Sequence, residues 1–232
     1  MRNILAISAV AAATLLPNLH AAKKHDNESV KRLQEASDTL GEVMRTPDKS
    51  IPADLLASAH CIVIVPNLKS GAFVVGAKYG KGYVSCRKAG NAGWSSPATV
   101  RVEGGSVGFQ IGGNETDLVM LVMNERGAKK LLESKFTLGG EGTVAAGPVG
   151  RNATAQTDAQ MHAEILSWSR SQGLFAGISL QGATLRQDVD DNQELYGRRI
   201  ENKEILNSNV RAPKAAAPLM ALLNRLSYRE RK

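Results

Sequence analysis

The chain has 232 residues, and a hydrophobic fraction of 43% is large enough to form a core, which argues against disorder throughout. Aromatic residues make up only 4%, whereas glycine occurs 22 times, so we expect tight turns and a core of aliphatic side chains. The formal net charge of +7 favours anionic surfaces as partners.

The first 21 residues have the pattern of a secretion signal. Arg2 precedes an uncharged apolar run from Ile4 to Leu16, which is short for a membrane span, since a span needs about 20 residues. Pro17 breaks this run, and Leu19-His20-Ala21 offers a cleavage site; an uncleaved anchor is the alternative. We therefore predict an exported protein, periplasmic or associated with the outer membrane. Membrane headgroups suit its positive charge better than nucleic acid does.

Two helices are predicted over residues 28–59. Between Glu28 and Arg45, apolar residues recur at helical spacing and charged residues occupy the other positions, which is typical of an amphipathic helix. Such a helix by default packs on a neighbouring sheet, and the alternative is that its apolar stripe enters a membrane. A second, short helix is predicted from Pro52 to Ala59, with proline at its first position.

From Cys61 onward the pattern changes to apolar strands separated by glycine-rich turns. Asn124 is predicted to cap a helix that reaches Ser134. Further strands are predicted at 142–146, 163–169 and 174–180. The first six predicted strands are CIVIV, GAFVVGAKY, GYVSCR, ATVRVEG, SVGFQIGG and DLVMLVMN. We therefore predict an α+β fold: a curled antiparallel β-sheet (sandwich or barrel-like) over residues 60–196, with the N-terminal amphipathic helix and a few flanking helices.

The sequence does not decide whether the two cysteines, Cys61 and Cys86, form a disulfide. Export would place them in an oxidising compartment, where the bond is permitted. In a simple up-and-down meander, however, Cys61 opens one strand and Cys86 closes a strand two further on. Those positions lie at opposite ends of the sheet, too far apart to bridge.

Residues 197–232 predict a basic C-terminal tail. Residues 212–217 have the composition of a linker, and Pro218 to Arg229 predicts a short helix with four leucines on one face. Arg225 and Arg229 make its other side basic. This helix is a candidate for membrane contact, with disorder or packing as the alternatives.

Ser106 lies in a Gly-x-Ser-x-Gly sequence, the pattern of a serine-hydrolase nucleophile, and His162 and Asp158 are candidate partners in a triad. The nucleophile turn must join a strand to a helix. The residues that follow Ser106, FQIGG after Val107 and Gly108, are typical of a strand instead. A glycine-rich strand start is therefore preferred over a catalytic serine.

Other ligand motifs are incomplete. Gly76 to Gly82 lacks the spacing of a phosphate-binding loop and predicts a hairpin turn that carries Lys78 and Lys81. The histidines lack metal-ligand spacing, and the acidic run from Asp188 lacks the glycine and glutamate of a calcium loop, so it predicts a helix N-cap. We expect no cofactor and no metal.

From His60 to Tyr196 the chain resembles the SYLF family, which includes phosphoinositide-binding and actin-patch proteins of eukaryotes and many secreted bacterial proteins. The resemblance is carried by AHCIVIVPNLKSGAFVVGAKYGKGYVSCR, GGSVGFQIGGNETDLVMLVMNERG, KFTLGGEGTVAAGPVG and GLFAGISLQGATL, in that order. It implies lipid binding without catalysis, in which basic residues near the N-terminal helix meet headgroups. Lys31 and Arg32 are the positions that fit this description.

We therefore predict a non-enzymatic protein of the bacterial envelope that contacts anionic phospholipid headgroups through basic residues and an apolar helix face. The alternative is a structural envelope protein with an unknown protein partner, to which actin binding would apply only by family analogy. The predicted lipid-binding residues are Lys31, Arg32, Lys69, Lys78, Lys81, Arg225 and Arg229.

Overall fold

A computed structural model describes residues 17–45, 50–72, 75–91, 93–107, 112–149, 162–171, 174–177, 180 and 182–227. Within them lie six helices: α1 (Pro17–Arg45), α2 (Ala53–Ser58), α3 (Glu125–Leu131), α4 (Val189–Tyr196), α5 (Asn202–Asn207) and α6 (Ala217–Leu226). None of the helices in these ranges is both long and apolar enough to cross a bilayer. Most of the predicted secretion signal lies outside the described residues, so the signal stays a prediction.

In the part of the chain that the structure describes, nine strands form a single sheet: β1 (Cys61–Ala72), β2 (Val75–Cys86), β3 (Ala98–Val107), β4 (Gly112–Val122), β5 (Lys135–Thr137), β6 (Val144–Ala146), β7 (Ile165–Ser171), β8 (Leu174–Gly177) and β9 (Thr184–Gln187). Their order is β5-β9-β3-β2-β1-β4-β7-β6, and β8 pairs with β7. All described pairs are antiparallel except β6 with β7. The predicted α+β class and curled sheet are confirmed.

The first three predicted strands are in fact two long ones, so the prediction of a turn at Gly76 to Gly82 is wrong. β2 continues through these residues, and β1 continues past Pro66 with a bulge between Ile64 and Lys69. Gly82 lies against this bulge, because a Cβ there would come within 2.1 Å of the Ile64 carbonyl oxygen. Only a residue without a side chain permits such a close approach of two backbones.

A disulfide joins Cys61 and Cys86, which lie directly opposite each other on β1 and β2 with Cα atoms 4.0 Å apart. The predicted distance between them was wrong because it assumed an additional strand. As the start of one strand and the end of its hairpin partner, the two cysteines meet at the same end of the sheet.

Helices and loops bury both faces of the central strands. On one face Val63, Val84 and Leu118 belong to a core that includes residues of α3 and α5. On the other face Ile62 and Tyr83 pack with α1, α2 and α6. Because both faces are covered, β1 and β4 begin or end in almost continuous apolar runs instead of alternating patterns.

The C-terminal residues are packed against the rest of the fold. Residues 214–216 form a short 3-10 turn in which Ala216 is buried, so the prediction of a free linker over 212–217 is wrong. In α6, Leu219 and Leu223 are buried and pack in the same core as α1. Arg229 lies outside the described residues.

Candidate functional site

A groove of about 460 Å³ runs between α1, α4 and the β1–β2 hairpin. Seven of its twelve lining residues are charged, and three of these, Arg32, Lys69 and Lys81, are predicted lipid-binding residues. The lining residues are Glu28, Ser29, Arg32, Glu35, Pro66, Asn67, Lys69, Tyr79, Gly80, Lys81, Asp191 and Glu194. We refer to this site as the α1 groove.

One wall of the α1 groove is a charged stripe on α1. Glu28, Arg32 and Glu35 follow one another at spacings of four and three residues, which brings their side chains to the same side of a helix. The adjacent stripe of α1, which includes Leu33 and Leu40, is buried in the core. Burial of the apolar stripe fixes the rotation of the helix and turns the charged stripe toward the groove.

The opposite wall is the face of the sheet that also carries Tyr83. Lys69 and Tyr79 are register partners on β1 and β2, so their Cα atoms lie about 5 Å apart. Lys81 follows Tyr79 by two residues and therefore projects from the same face. The side chain of Tyr79 is 47% exposed, one of the few exposed large apolar side chains among the described residues.

A cluster of buried ion pairs closes the inner end of the α1 groove. Asp191 accepts hydrogen bonds from Arg32 at 2.7 Å and from Lys81 at 2.6 Å, and Lys81 also contacts Asp188 at 3.0 Å. Burial lowers the pKa of Lys81, but the hydrogen bonds and negative charges of Asp191 and Asp188 outweigh it, so this pKa lies above its usual value. The two cations are therefore largely neutralised by two carboxylates.

The prediction that Asp188 caps a helix is confirmed, because its side chain accepts a hydrogen bond from the Asp191 backbone N–H at 3.3 Å. The contact of Asp191 with Arg32 joins residues 159 positions apart. No local pattern in the sequence indicates such a contact.

The predicted lipid-binding residues do not form one surface. Arg32, Lys69 and Lys81 line the α1 groove, and Lys31 pairs at its edge with Glu35 at 3.4 Å. Lys78 is one residue from Tyr79, so it projects from the other face of the sheet.

Arg225 belongs to a different groove, of about 300 Å³, between α1 and α6. Arg45 also lines this second groove. Arg45 follows Arg32 by thirteen positions on α1, which corresponds to about 20 Å along a helix. The predicted residues therefore fall into at least two separate places.

The apolar helix faces that were predicted to meet lipid are packed inside the protein. In α1, Leu33, Ala36, Leu40 and Val43 are at most 1% exposed. The leucines of α6 are buried or partly buried against the same core. Only Val30 of the described α1 stripe is exposed, at 46%. The prediction of a free apolar face on α1 and α6 is therefore wrong, because these two helices cover one face of the sheet.

The sheet register also separates the residues of the predicted hydrolase alternative. Ser106 pairs with Gly76 of β2, near the end of the sheet where β4 begins at Gly112. His162 precedes β7, whose first residue pairs with Val122 at the other end of β4. The length of β4 places these ends about 30 Å apart, so Ser106 and His162 are too distant for proton transfer. Asp158 lies outside the described residues.

The chain that forms the α1 groove has clear relatives. A family model described as "Ysc84: Las17-binding protein actin regulator" matches residues 103–226. The "SH3 domain-containing YSC84-like protein 1" of Rattus norvegicus is 34% identical over 203 residues, which cover 87% of this chain and 58% of the rat protein. "Protein YSC84" of Saccharomyces cerevisiae is 32% identical over 184 residues, 78% of this chain and 39% of the yeast protein.

The chain thus spans between about two fifths and three fifths of the length of these relatives. The name of the rat protein describes an SH3 domain, and the family description names an actin regulator. The match covers more than half of the chain and includes the second half of β3, β4 and all described elements that follow. The chain belongs to the Ysc84 family, the same family as the SYLF proteins that its glycine-punctuated strands resemble.

Proposed function

We propose that this chain is a non-enzymatic protein that binds anionic phospholipid headgroups reversibly at the surface of a bacterial envelope membrane. The proposal is supported by membership of the Ysc84 family and by the positive net charge of +7. The family description names Las17 binding and actin regulation, and those activities belong to relatives of which this chain spans only part.

The observation that carries the proposal is the pair of exposed lysines at the edges of the α1 groove. The side chains of Lys31 on α1 and Lys69 on β1 are 78% and 72% exposed. Their ion pairs with Glu35 and Glu115, at 3.4 and 3.7 Å, are solvent-exposed and therefore weak. A lysine near an anionic membrane surface contributes about 1 kcal/mol, so headgroups compete effectively with such partners.

The disulfide supports an extracytoplasmic location. Disulfides persist in oxidising compartments and are rare in a reducing cytosol. The facing positions of Cys61 and Cys86 on neighbouring strands are consistent with the secretion signal predicted for residues 1–21. We therefore propose that the protein acts in the periplasm or at the outer membrane.

Liposome co-sedimentation tests the proposal. We expect the full chain to pellet with vesicles that contain phosphatidylglycerol and to remain in solution with pure phosphatidylcholine, with binding that weakens as salt rises. The Lys31→Ala/Lys69→Ala variant should lose about 2 kcal/mol of binding free energy, which corresponds to about 30-fold in affinity.

The matched control is Lys129→Ala/Lys203→Ala. Lys129 pairs with Glu125 on α3 in the same four-residue spacing as Lys31 with Glu35, and its side chain is 73% exposed. Lys203 is an exposed residue of α5, which does not line the α1 groove. The control removes the same charge and should bind as the unmodified chain does. An equal loss of affinity in both variants would show that only the net charge matters and would contradict the role given to Lys31 and Lys69. Equal binding to anionic and neutral vesicles would refute the proposal.

A second candidate function is binding of a protein partner, which the wording of the family description favours. The groove between α1 and α6 is lined by Met44, Leu222 and Leu226 together with Arg45 and Arg225. Such a mixed apolar and basic surface suits a protein contact. Salt-insensitive association in light scattering, with no response to lipid, would favour this function over the first.

A further inference from the structure

The two walls of the α1 groove carry opposite charge. The sheet contributes Lys69 and Lys81, whereas the helical side contributes all four carboxylates of the lining and one cation, Arg32, which is paired with Asp191. The whole lining contains four carboxylates and three cations. A simple anion held by the lysines would also face the carboxylates, so the interior of the groove is unsuited to a ligand of one sign.

The charged side chains at the rim are paired on the outer side of the groove. Lys69 contacts Glu115 at 3.7 Å, and Glu35 contacts Lys31 at 3.4 Å; neither Glu115 nor Lys31 lines the groove. Glu35 also accepts a hydrogen bond of 3.3 Å from the side chain of Asn67. The space of about 460 Å³ lies between these oppositely charged rims.

Lys81 has hydrogen-bonding capacity left at the inner end of this space. An ammonium group has three N–H donors; Asp191 accepts one of them at 2.6 Å, and the Asp188 carboxylate lies 3.0 Å from the nitrogen. Its side chain is 26% exposed and lines the groove. The remaining donor can meet an acceptor that enters the groove.

We propose that the α1 groove binds a small zwitterion in which a phosphate ester and a primary ammonium are joined by a two-carbon spacer. The ammonium lies against Glu28 and Glu35, and the phosphate lies against Lys69 and Lys81. The exposed ring of Tyr79, beside Lys69, gives an apolar surface for the spacer. This inference rests on the proposed lipid binding, which it deepens by naming an ethanolamine headgroup.

A primary ammonium is specified by the carboxylates. It donates up to three hydrogen bonds, and hydrogen bonds between charged groups are the strongest kind available at a partly exposed site. A quaternary ammonium has no N–H to donate, and a single tyrosine ring is a poor substitute for the aromatic cages that bind such groups. The groove should therefore distinguish ethanolamine from choline.

The test compares binding of the full chain to three kinds of vesicle: phosphatidylcholine alone, phosphatidylcholine with phosphatidylethanolamine, and phosphatidylcholine with phosphatidylglycerol. We expect the ethanolamine vesicles to bind about fivefold more tightly than phosphatidylcholine alone, the size of one partly exposed charged contact. In Glu35→Gln this preference should disappear, while binding to the phosphatidylglycerol vesicles should be retained or strengthened, because a carboxylate has been removed.

Glu125→Gln is the control, because Glu125 is 73% exposed and pairs with a lysine four residues away, as Glu35 does. It should keep the preference for ethanolamine. A preference for ethanolamine that survives Glu35→Gln would overturn the inference. Equal binding to ethanolamine and choline vesicles would also overturn it, if soluble O-phosphoethanolamine does not bind either. Loss of phosphatidylglycerol binding alone would instead count against the proposed function.

Soluble O-phosphoethanolamine identifies the source of the ligand. If it binds in calorimetry and displaces the chain from ethanolamine vesicles, the headgroup chemistry is supported and a lipid is the source. If it binds but the vesicles do not, the zwitterion is supported and the source is a free compound. Absence of binding to both forms would overturn the inference.

Discussion

The two ends of the central strands differ sharply, although the same four strands contribute to both. At the disulfide end, Cys61, Trp94 and Ala98 are at most 2% exposed. Arg87 donates hydrogen bonds there to three backbone carbonyls of α2 and its C-cap, and its guanidinium lies 4.3 Å from the ring of Trp94. At the groove end, Lys69 and Tyr79 are exposed.

This difference in burial gives the two ends of the sheet different roles. Helices and loops cover the disulfide end on both faces, so its residues contribute to stability through burial. The groove end extends past its neighbours, because β9 pairs only with Val100 to Glu103 of β3 and β7 only with Asp117 to Val122 of β4. Lys69 and Tyr79 lie at this end and are exposed, so the groove end can present side chains to a ligand.

Two tyrosines on β2 give the most direct test of this contrast. Tyr83 and Tyr79 face the same side of the sheet, but Tyr83 is 2% exposed and donates a hydrogen bond of 2.6 Å to the Ser29 carbonyl. We expect Tyr83→Ala to lower the free energy of unfolding by about 4 kcal/mol and Tyr79→Ala by less than about 0.5 kcal/mol. Urea unfolding measures both, and similar losses in the two variants would remove the distinction between the ends.

Removal of the disulfide should have the next largest effect. The cysteines are 25 positions apart in the sequence, and a closed loop of that length constrains the unfolded chain by about 3 kcal/mol. Cys61→Ala/Cys86→Ala should lose that amount in urea unfolding without reductant. The same loss should appear in the unmodified chain after reduction, whereas an unchanged unfolding midpoint after reduction would contradict the role assigned to the bond.

Lys81 lies between the two ends, and its removal should cost less. Lys81→Met leaves Asp188 and Asp191, which are 3% and 4% exposed, with fewer cations. A loss of about 2 kcal/mol is expected near neutral pH, because Lys81 is itself partly exposed.

The effect of Lys81 should also depend on pH. Its folded pKa lies above the ordinary value of 10.5, so its contribution is complete below 10.5 and is lost as pH rises through the folded pKa. The difference in unfolding free energy between Lys81→Met and the unmodified chain should therefore shrink at strongly alkaline pH. A difference that stays constant with pH would show that Lys81 stabilises the fold by packing alone.

Local features of the sequence predicted much of the fold. The α1 stripe and the caps by Asn124 and Asp188 depend on residues within one or two turns of helix, and all three are present. The resemblance to a known family rested on sequence segments that occur in the family's order. The α+β class followed from the change in hydrophobic pattern at Cys61.

The remaining features depend on residues that are distant in the sequence. Pro66-Asn67 and the glycines of β2 have the composition of turns, but here they form a bulge and its close partner strand. That use becomes apparent only when β1 and β2 are paired. The ion pair of Arg32 with Asp191 and the burial of the α1 stripe likewise depend on α4 and α6 packing beside α1. The sequence thus predicted three cations of the α1 groove, Arg32, Lys69 and Lys81, but not the four carboxylates that line the same groove.

The contact between the first and last described helices has a consequence for how the chain folds. Leu33 and Leu40 of α1 share a core with Leu219 and Leu223 of α6, so this side of the protein closes only after almost the whole chain is available. The chain leaves the ribosome N-terminus first, so the apolar face of α1 emerges long before α6, which packs against it. That face therefore stays uncovered until the end of synthesis. In the export that we propose, such delayed closure would keep the chain unfolded for longer, and an unfolded chain passes most easily through a narrow translocation channel.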